Sequence, residues 1–213
     1  MTAQDAALAA LRADLRDGFL APGDQVVQET LADRYGISRV PLREALKTLE
    51  AEGQVVYHPN RGYFVTELRV ADLLEVYRLR ELLEAEAIAV AVPSLTDEDV
   101  AALAELLADV DAASRAGDIE RLTTANRRFH FAIFDAAGMP RLSRLLRQLW
   151  DATDAYRSIY FASPDNRGRV DREHAAMLGA LRRRNTARVI RLHDEHRRRS
   201  VAAVRAQIEM SGR

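Results

Sequence analysis

A mainly α-helical chain is predicted, with a winged helix-turn-helix over residues 1–66 and an antiparallel six-helix bundle over residues 67–213. Three observations lead there. Gly and Pro punctuate the first third and become sparse after about residue 66, where the texture of the chain changes. Val55-Val56-Tyr57 and Tyr63-Phe64-Val65 are β-prone runs joined by His58-Pro59-Asn60-Arg61-Gly62, the pattern of a hairpin. From Val70 onward Leu, Ala, Glu and Arg recur at helical spacing.

The first half reads as a helix from about Ala3 to Asp17 and a turn at Ala21-Pro22-Gly23. A short helix from Gln28 to Tyr35 follows, then a turn at Gly36, a helix from Arg39 to Glu52, and the hairpin. In the second half, breaks at Val92-Pro93-Ser94, Gly117-Asp118, Gly138-Met139-Pro140, Ser163-Pro164-Asp165 and Arg184-Asn185 separate six helices. Ser94 with Asp97 and Thr96 with Asp99 are alternative capping boxes, and Asp118 and Asn185 are N-cap candidates. Short turns between helices of this length favour antiparallel packing.

A chain of 213 residues, 48% hydrophobic, can bury one large core or two modest ones. The formal net charge of -1 excludes a uniformly basic nucleic-acid coat, so DNA binding would need a local basic cluster. With no cysteine, a metal site would use His with carboxylate or amide oxygens. No basic-then-apolar leader opens the sequence and no apolar run is long enough to span a bilayer, so a cytoplasmic protein without membrane contact is expected.

In the helix from Arg39 to Glu52, Leu42, Ala45, Leu46 and Leu49 make one apolar face. Arg39, Arg43 and Lys47 repeat at i, i+4 and i+8 on the other, behind a capping Ser38. Such a stripe either solvates a surface helix or enters a major groove, where Arg can donate two hydrogen bonds to guanine and Ser and Lys suit phosphates. His58 and Arg61 sit at the hairpin tip, placed for a minor groove or backbone contact. The first 66 residues carry more acidic than basic side chains, so nonspecific DNA affinity should be modest and binding should rely on pairing two domains across an inverted repeat.

The segment from Leu20 to Val65 resembles the GntR superfamily of repressors. The resemblance is carried by Ala21-Pro22-Gly23, Leu31-Ala32, Gly36-Ile37-Ser38-Arg39, Pro41-Leu42-Arg43-Glu44-Ala45-Leu46, Leu49, Glu52-Gly53 and Pro59-Asn60-Arg61-Gly62. It implies a winged helix-turn-helix with base contacts from Arg39 and Arg43, and a DNA-contacting set of Ser38, Arg39, Val40, Arg43, Lys47, His58, Arg61 and Gly62. Val40 departs from the family's usual Thr, which removes a hydroxyl and offers a methyl contact to thymine instead.

Four polar residues stand out in the bundle: Asn126, His130, His174 and His196. Asn126 and His130 share a helix face flanked by Phe129, Ile133 and Phe134, His174 leads Met177, Leu178 and Leu181, and His196 lies midway along the last helix. Each His alone reads first as a hydrogen-bonded residue at a helix interface; together they could form a first-row divalent site. The stretch from about Leu73 to Val204 is similar to the FCD domain of the FadR subfamily. Arg80-Glu81-Leu82-Leu83-Glu84 matches its first-helix motif, Asn126 to His130 its Asp-x-x-Phe-His, Glu173-His174 its Glu-His, and His196 its last-helix His.

The resemblance implies zinc, nickel or manganese held by Asn126, His130, His174 and His196, with Asn126 standing where Asp is usual. A neutral amide leaves the site one charge more positive, weakening the cation and favouring an anionic effector. His193 is a substitute ligand candidate. The family's effectors are mostly small organic acids, which a buried guanidinium could clamp. Arg80 is the first candidate for that role, with an i, i+4 ion pair to Glu84 as its alternative, and Arg157 beside Tyr156 and Tyr160 is the second. The basic stretch from Arg182 to Arg199 reads as a solvated face.

The expectation is a homodimeric repressor released from a palindromic operator by a small carboxylate bound at or near a metal. The rival is a metal-dependent hydrolase or lyase using the three His, for which no general base is legible beside the site.

Overall fold

The computed structural model describes residues 2–67 and 70–211. Helix α1 (Ala3–Arg16) opens on a capping box in which Thr2 and Asp5 satisfy each other's backbone N–H groups. Its Ala7, Leu11 and Leu15 recur every fourth residue and are buried against α3 (Arg39–Ala51), whose Leu42, Ala45, Leu46 and Leu49 are fully enclosed. Between them α2 (Gln28–Tyr35) ends at Gly36, which takes the left-handed conformation that lets the chain turn into α3.

The hairpin forms as β2 (Val55–His58) and β3 (Gly62–Val65), antiparallel, with Val55 opposite Val65 and His58 opposite Gly62. Asn60 and Gly62 both take positive φ in the connecting loop. A third strand, β1 (Gln25–Val26), pairs with β3 and gives the order β1-β3-β2. Two residues carry no periodicity, so this strand is invisible to pattern reading; a side-chain bond from Gln25 Nε2 to the Arg61 carbonyl ties it to the wing.

The second half is helical throughout. Helix α4 (Val70–Ala91) leads through a 3-10 turn at Val92–Ser94 into α5 (Asp97–Ala116), capped by the Thr96–Asp99 box rather than the Ser94 alternative. Then come α6 (Ile119–Asp135), α7 (Pro140–Asp151), α8 (Asp154–Ala162), α9 (Pro164–Arg182) and α10 (Thr186–Ser211). Among the described residues the bundle thus has seven α-helices where five breaks predict six. The extra break falls at Ala152-Thr153, where Thr153 folds its hydroxyl back on the Trp150 carbonyl; no Gly or Pro marks it.

Two separate apolar clusters result, one drawn from Ala7 to Val65 and one from Leu73 to Val204. The halves meet where α1 packs on α8. No helix among the described residues is long and apolar enough to cross a membrane.

Candidate DNA-reading face and metal centre

With one face of α3 anchored in the first core, the opposite face stands free. Ser38, Arg39, Val40, Arg43 and Lys47 are all exposed on it, Val40 at 63%. Ser38 occupies the N-cap position with no side-chain capping bond, so its hydroxyl is available. Arg39 ion-pairs with Glu29 of α2, and Lys47 with Glu44 at 3.0 Å, both at the surface where such pairs exchange readily with other anions. At the wing, His58 meets Phe64 edge-on and Arg61 lies over the same ring at 5.1 Å, so both are exposed yet held by one aromatic platform. Gly62 has φ near 87°, which a side chain would strain.

In the bundle the structure brings the three candidate imidazoles together and places Asn126 on the cavity that His130 and His196 line. His130 and Asn126 come from one face of α6, His174 from α9 and His196 from α10; the first three are buried and His196 is nearly so. Ligand atoms of the three imidazoles lie within 4.8 Å of one another. The Nε2 atoms of His130 and His174 are 3.1 Å apart, the spacing of two nitrogens bound about 2.1 Å from one ion at adjacent positions. Asn126 Oδ1 is buried with no hydrogen-bond partner, as is Nδ1 of His174. Three convergent imidazoles, with an orphaned amide oxygen one turn before His130 on α6, are a donor set that suits a divalent transition metal, so the residues fit such an ion.

Protonation agrees. Burial first, and then the neighbouring imidazoles, hold His130 and His174 well below the ordinary histidine range, so both are neutral ring donors. Glu173 faces His196 Nδ1 at 2.7 Å, which leaves Nε2 as the lone-pair atom. His193 is buried too, but its Nε2 lies 3.2 Å from Nδ1 of His130 and it stands outside the convergent trio.

A narrow cavity of about 30 Å³, room for about two waters, runs beside the imidazoles. Asn126, His130 and His196 line it, together with Arg80, Arg157 and Arg197. Tyr156, a candidate effector contact, is buried but does not line it; Tyr160 does. Arg80 is committed elsewhere: its Nε donates to Glu84 Oε1 at 2.9 Å and its guanidinium packs over Tyr77 and Trp150. Arg157 is less compensated. It too packs over Trp150, at 3.9 Å, but among the described residues its ion pair is with Asp154, 3.5 Å away and shared with Arg127, and burial pulls its guanidinium below the ordinary range. Of the two arginines, Arg157 therefore has more to gain from an incoming anion.

Sequence reasoning missed the hub behind this wall. Glu84 is fully buried and accepts from Arg80, from Trp150 Nε1 at 2.7 Å and from Arg197 Nη1 at 2.9 Å. Burial would raise its carboxyl, but Arg80, His193 and Arg197 outweigh that and hold it at about 2. The Arg80 pair was legible at i, i+4; Trp150 and Arg197 lie far away in sequence and leave no local signal.

The family model described as bacterial regulatory proteins, gntR family, matches residues 3–65, and the FCD domain model matches residues 75–199, more than half the chain. The HTH-type transcriptional regulator McbR of Escherichia coli is 37% identical over 140 residues, which span 66% of this chain and 63% of that one, under two thirds of its length. The HTH-type transcriptional repressor GlaR of the same organism is 28% identical over 194 residues, 87% of this chain and 88% of that one. A solved structure of E. coli McbR/YncC superposes with a TM-score of 0.89 at 28% identity, covering 97% of this chain and 99% of that one.

Proposed function

Because the chain belongs to the gntR family of bacterial regulators and carries an FCD domain, we propose that it is a repressor of the FadR subfamily, released from its operator by a small carboxylate. Residues 1–66 read DNA and residues 67–213 sense the effector. One observation carries the reading: α8 supplies Arg157, Tyr160 and Phe161 to the wall of the cavity beside the imidazoles, and the same helix packs on α1 of the DNA-reading half.

With so little free volume, an organic acid must move a wall to enter. Movement of α8 is felt by α1, which also packs on α3. A ligand that binds one α8 position better than another then biases the placement of the reading helix. An enzyme gains nothing from such a connection.

Arg39 and Arg43 contact base edges, Val40 a thymine methyl, and Ser38, Lys47, His58, Arg61 and the Gly62 backbone position phosphates. Asn126, His130, His174 and His196 hold a divalent transition metal, which when bound supplies a Lewis-acidic position for the carboxylate. Arg157 takes the anionic end of the effector, and Arg80 holds the wall through Glu84. The protein works in the cytoplasm as a homodimer; Leu79, Leu82 and Val90 are exposed on one side of α4, interspersed with Glu75 and Glu86, and offer apolar contacts to a second copy.

The test is release. Duplexes enriched by the protein from a random library are challenged with small mono- and dicarboxylates in the presence of zinc. Dissociation by at least one acid, with no chemical change in it, is the expected result; turnover of the acid, or no effect of any acid on binding, contradicts it.

A further inference from the structure

His130 touches His193 as well as His174, and the contact differs in kind. His193 Nε2 sits 3.2 Å from Nδ1 of His130, on the side of the ring away from His174, and both rings are almost fully buried. Behind His193, its Nδ1 faces Glu84 Oε2 at 3.5 Å, a Coulombic contact rather than a full hydrogen bond. The chain of atoms runs from a buried carboxylate, through two imidazoles, to the nitrogen that faces the other candidate ligands.

Glu84 is already paired with Arg80 and Arg197, which disfavours a third buried cation at His193, and for neutral rings only one arrangement of protons suits the chain. A proton on Nε2 of His193 would leave its Nδ1 lone pair against the Glu84 carboxylate, two acceptors opposed in a dry interior. The proton therefore belongs on Nδ1 of His193, whose Nε2 must then accept. Nδ1 of His130 is left as the donor, and the lone pair of neutral His130 falls on Nε2, which faces His174.

We infer that His193 is a positioning residue and not a metal ligand: with Glu84 behind it, it selects the His130 tautomer whose Nε2 is free for the ion. The inference rests on the metal reading above. It also gives Glu84 two duties, since the carboxylate that backs His193 holds Arg80 and Arg197, two guanidiniums of the cavity wall. The cavity wall and the orientation of one ligand thereby share a single buried anchor.

The test begins with wild-type, metal-free protein, in which long-range ¹H–¹⁵N correlations of the histidine rings report which nitrogen is protonated. Protons on Nδ1 of both His193 and His130 are expected; a proton on Nε2 of His130 overturns the inference without any variant. Zinc titrations then compare His193→Leu with His193→Gln, whose amide oxygen can still accept from His130. Zinc affinity is expected to fall about 10- to 100-fold in the first and largely recover in the second. Cobalt absorption bands are expected to stay in place in His193→Leu, because every ligand remains. Unchanged zinc affinity in His193→Leu, or a changed cobalt ligand field, overturns the role of His193 alone. Failure of the wild-type protein to bind zinc or cobalt overturns the metal reading and the role with it.

Discussion

Glu84 accepts a 2.9 Å hydrogen bond from Nε of Arg80, one turn earlier on α4, with both side chains buried in the second core. Arg197 and Trp150 close on the same carboxylate. Glu84→Gln takes from buried Arg80 its paired charge and from Arg197 one of two, the other being Asp194, and is expected to cost about 3–5 kcal/mol in urea unfolding at pH 7. The cost is pH-dependent in a definite direction. The folded carboxyl titrates at about 2 against an ordinary 4.5, so its contribution is complete above about pH 4.5 and disappears as pH falls toward 2. The stability gap between wild type and Glu84→Gln should narrow between pH 5 and pH 3; a constant gap would mean that Glu84 is not the compensating charge.

Metal binding should show as stabilisation, since a folded trio of imidazoles binds what the unfolded chain cannot. Zinc at about 100 times its dissociation constant adds about 2.7 kcal/mol, or roughly 5–10 °C in Tm for a chain of this size. A chelator should reverse the rise and His174→Ala should abolish it. Asn126→Asp restores an anionic ligand beside His130 and should tighten zinc by on the order of tenfold. If Asn126→Asp leaves zinc affinity unchanged, its orphaned oxygen does not face the ion.

Much of this was legible in the chain, for identifiable reasons. Arg39, Arg43 and Lys47 share one face of a helix whose other face is apolar, and that pattern survives folding because only the apolar face is consumed. Asn126 and His130 share a face by the same periodicity. His193 was legible only as a residue three positions before His196 on an apolar face; whether it ligates or supports depends on His130 and Glu84, which reach it from other helices. The split at Ala152-Thr153 was hidden because a threonine hydroxyl, not a Gly or Pro, ends the turn. The preference for Arg157 over Arg80 is a matter of which buried cation already has its anion, and that is decided by tertiary contacts alone.

Arg157→Ala should remove the response to the effector and spare the metal. Small carboxylates that raise Tm of the zinc-loaded wild type should lose that effect in the variant, while zinc affinity stays within about twofold, because a guanidinium–carboxylate bond is worth about 1.5–3 kcal/mol and touches no ligand. Persistence of the carboxylate effect in Arg157→Ala, with its loss in Arg80→Lys, would reverse the assignment.

Glu29 holds Arg39 across α2 and α3 at the exposed face. DNA must break that pair to recruit the guanidinium, so Glu29→Gln should strengthen operator binding by up to about fivefold, the worth of a surface ion pair. Weaker binding in the variant would show that Glu29 orients Arg39 instead of competing for it.

The recognition helix is tested most directly by selecting duplexes from a random library with the wild type and with the separate variants Arg39→Ala and Arg43→Ala, then measuring each Kd at fixed salt. The wild type should enrich a two-fold symmetric sequence. Each alanine removes one bidentate pairing with a base and should cost about 1–3 kcal/mol per half-site while flattening the preference at one position of it. Equal enrichment of the same sequence by all three proteins would contradict base reading by α3.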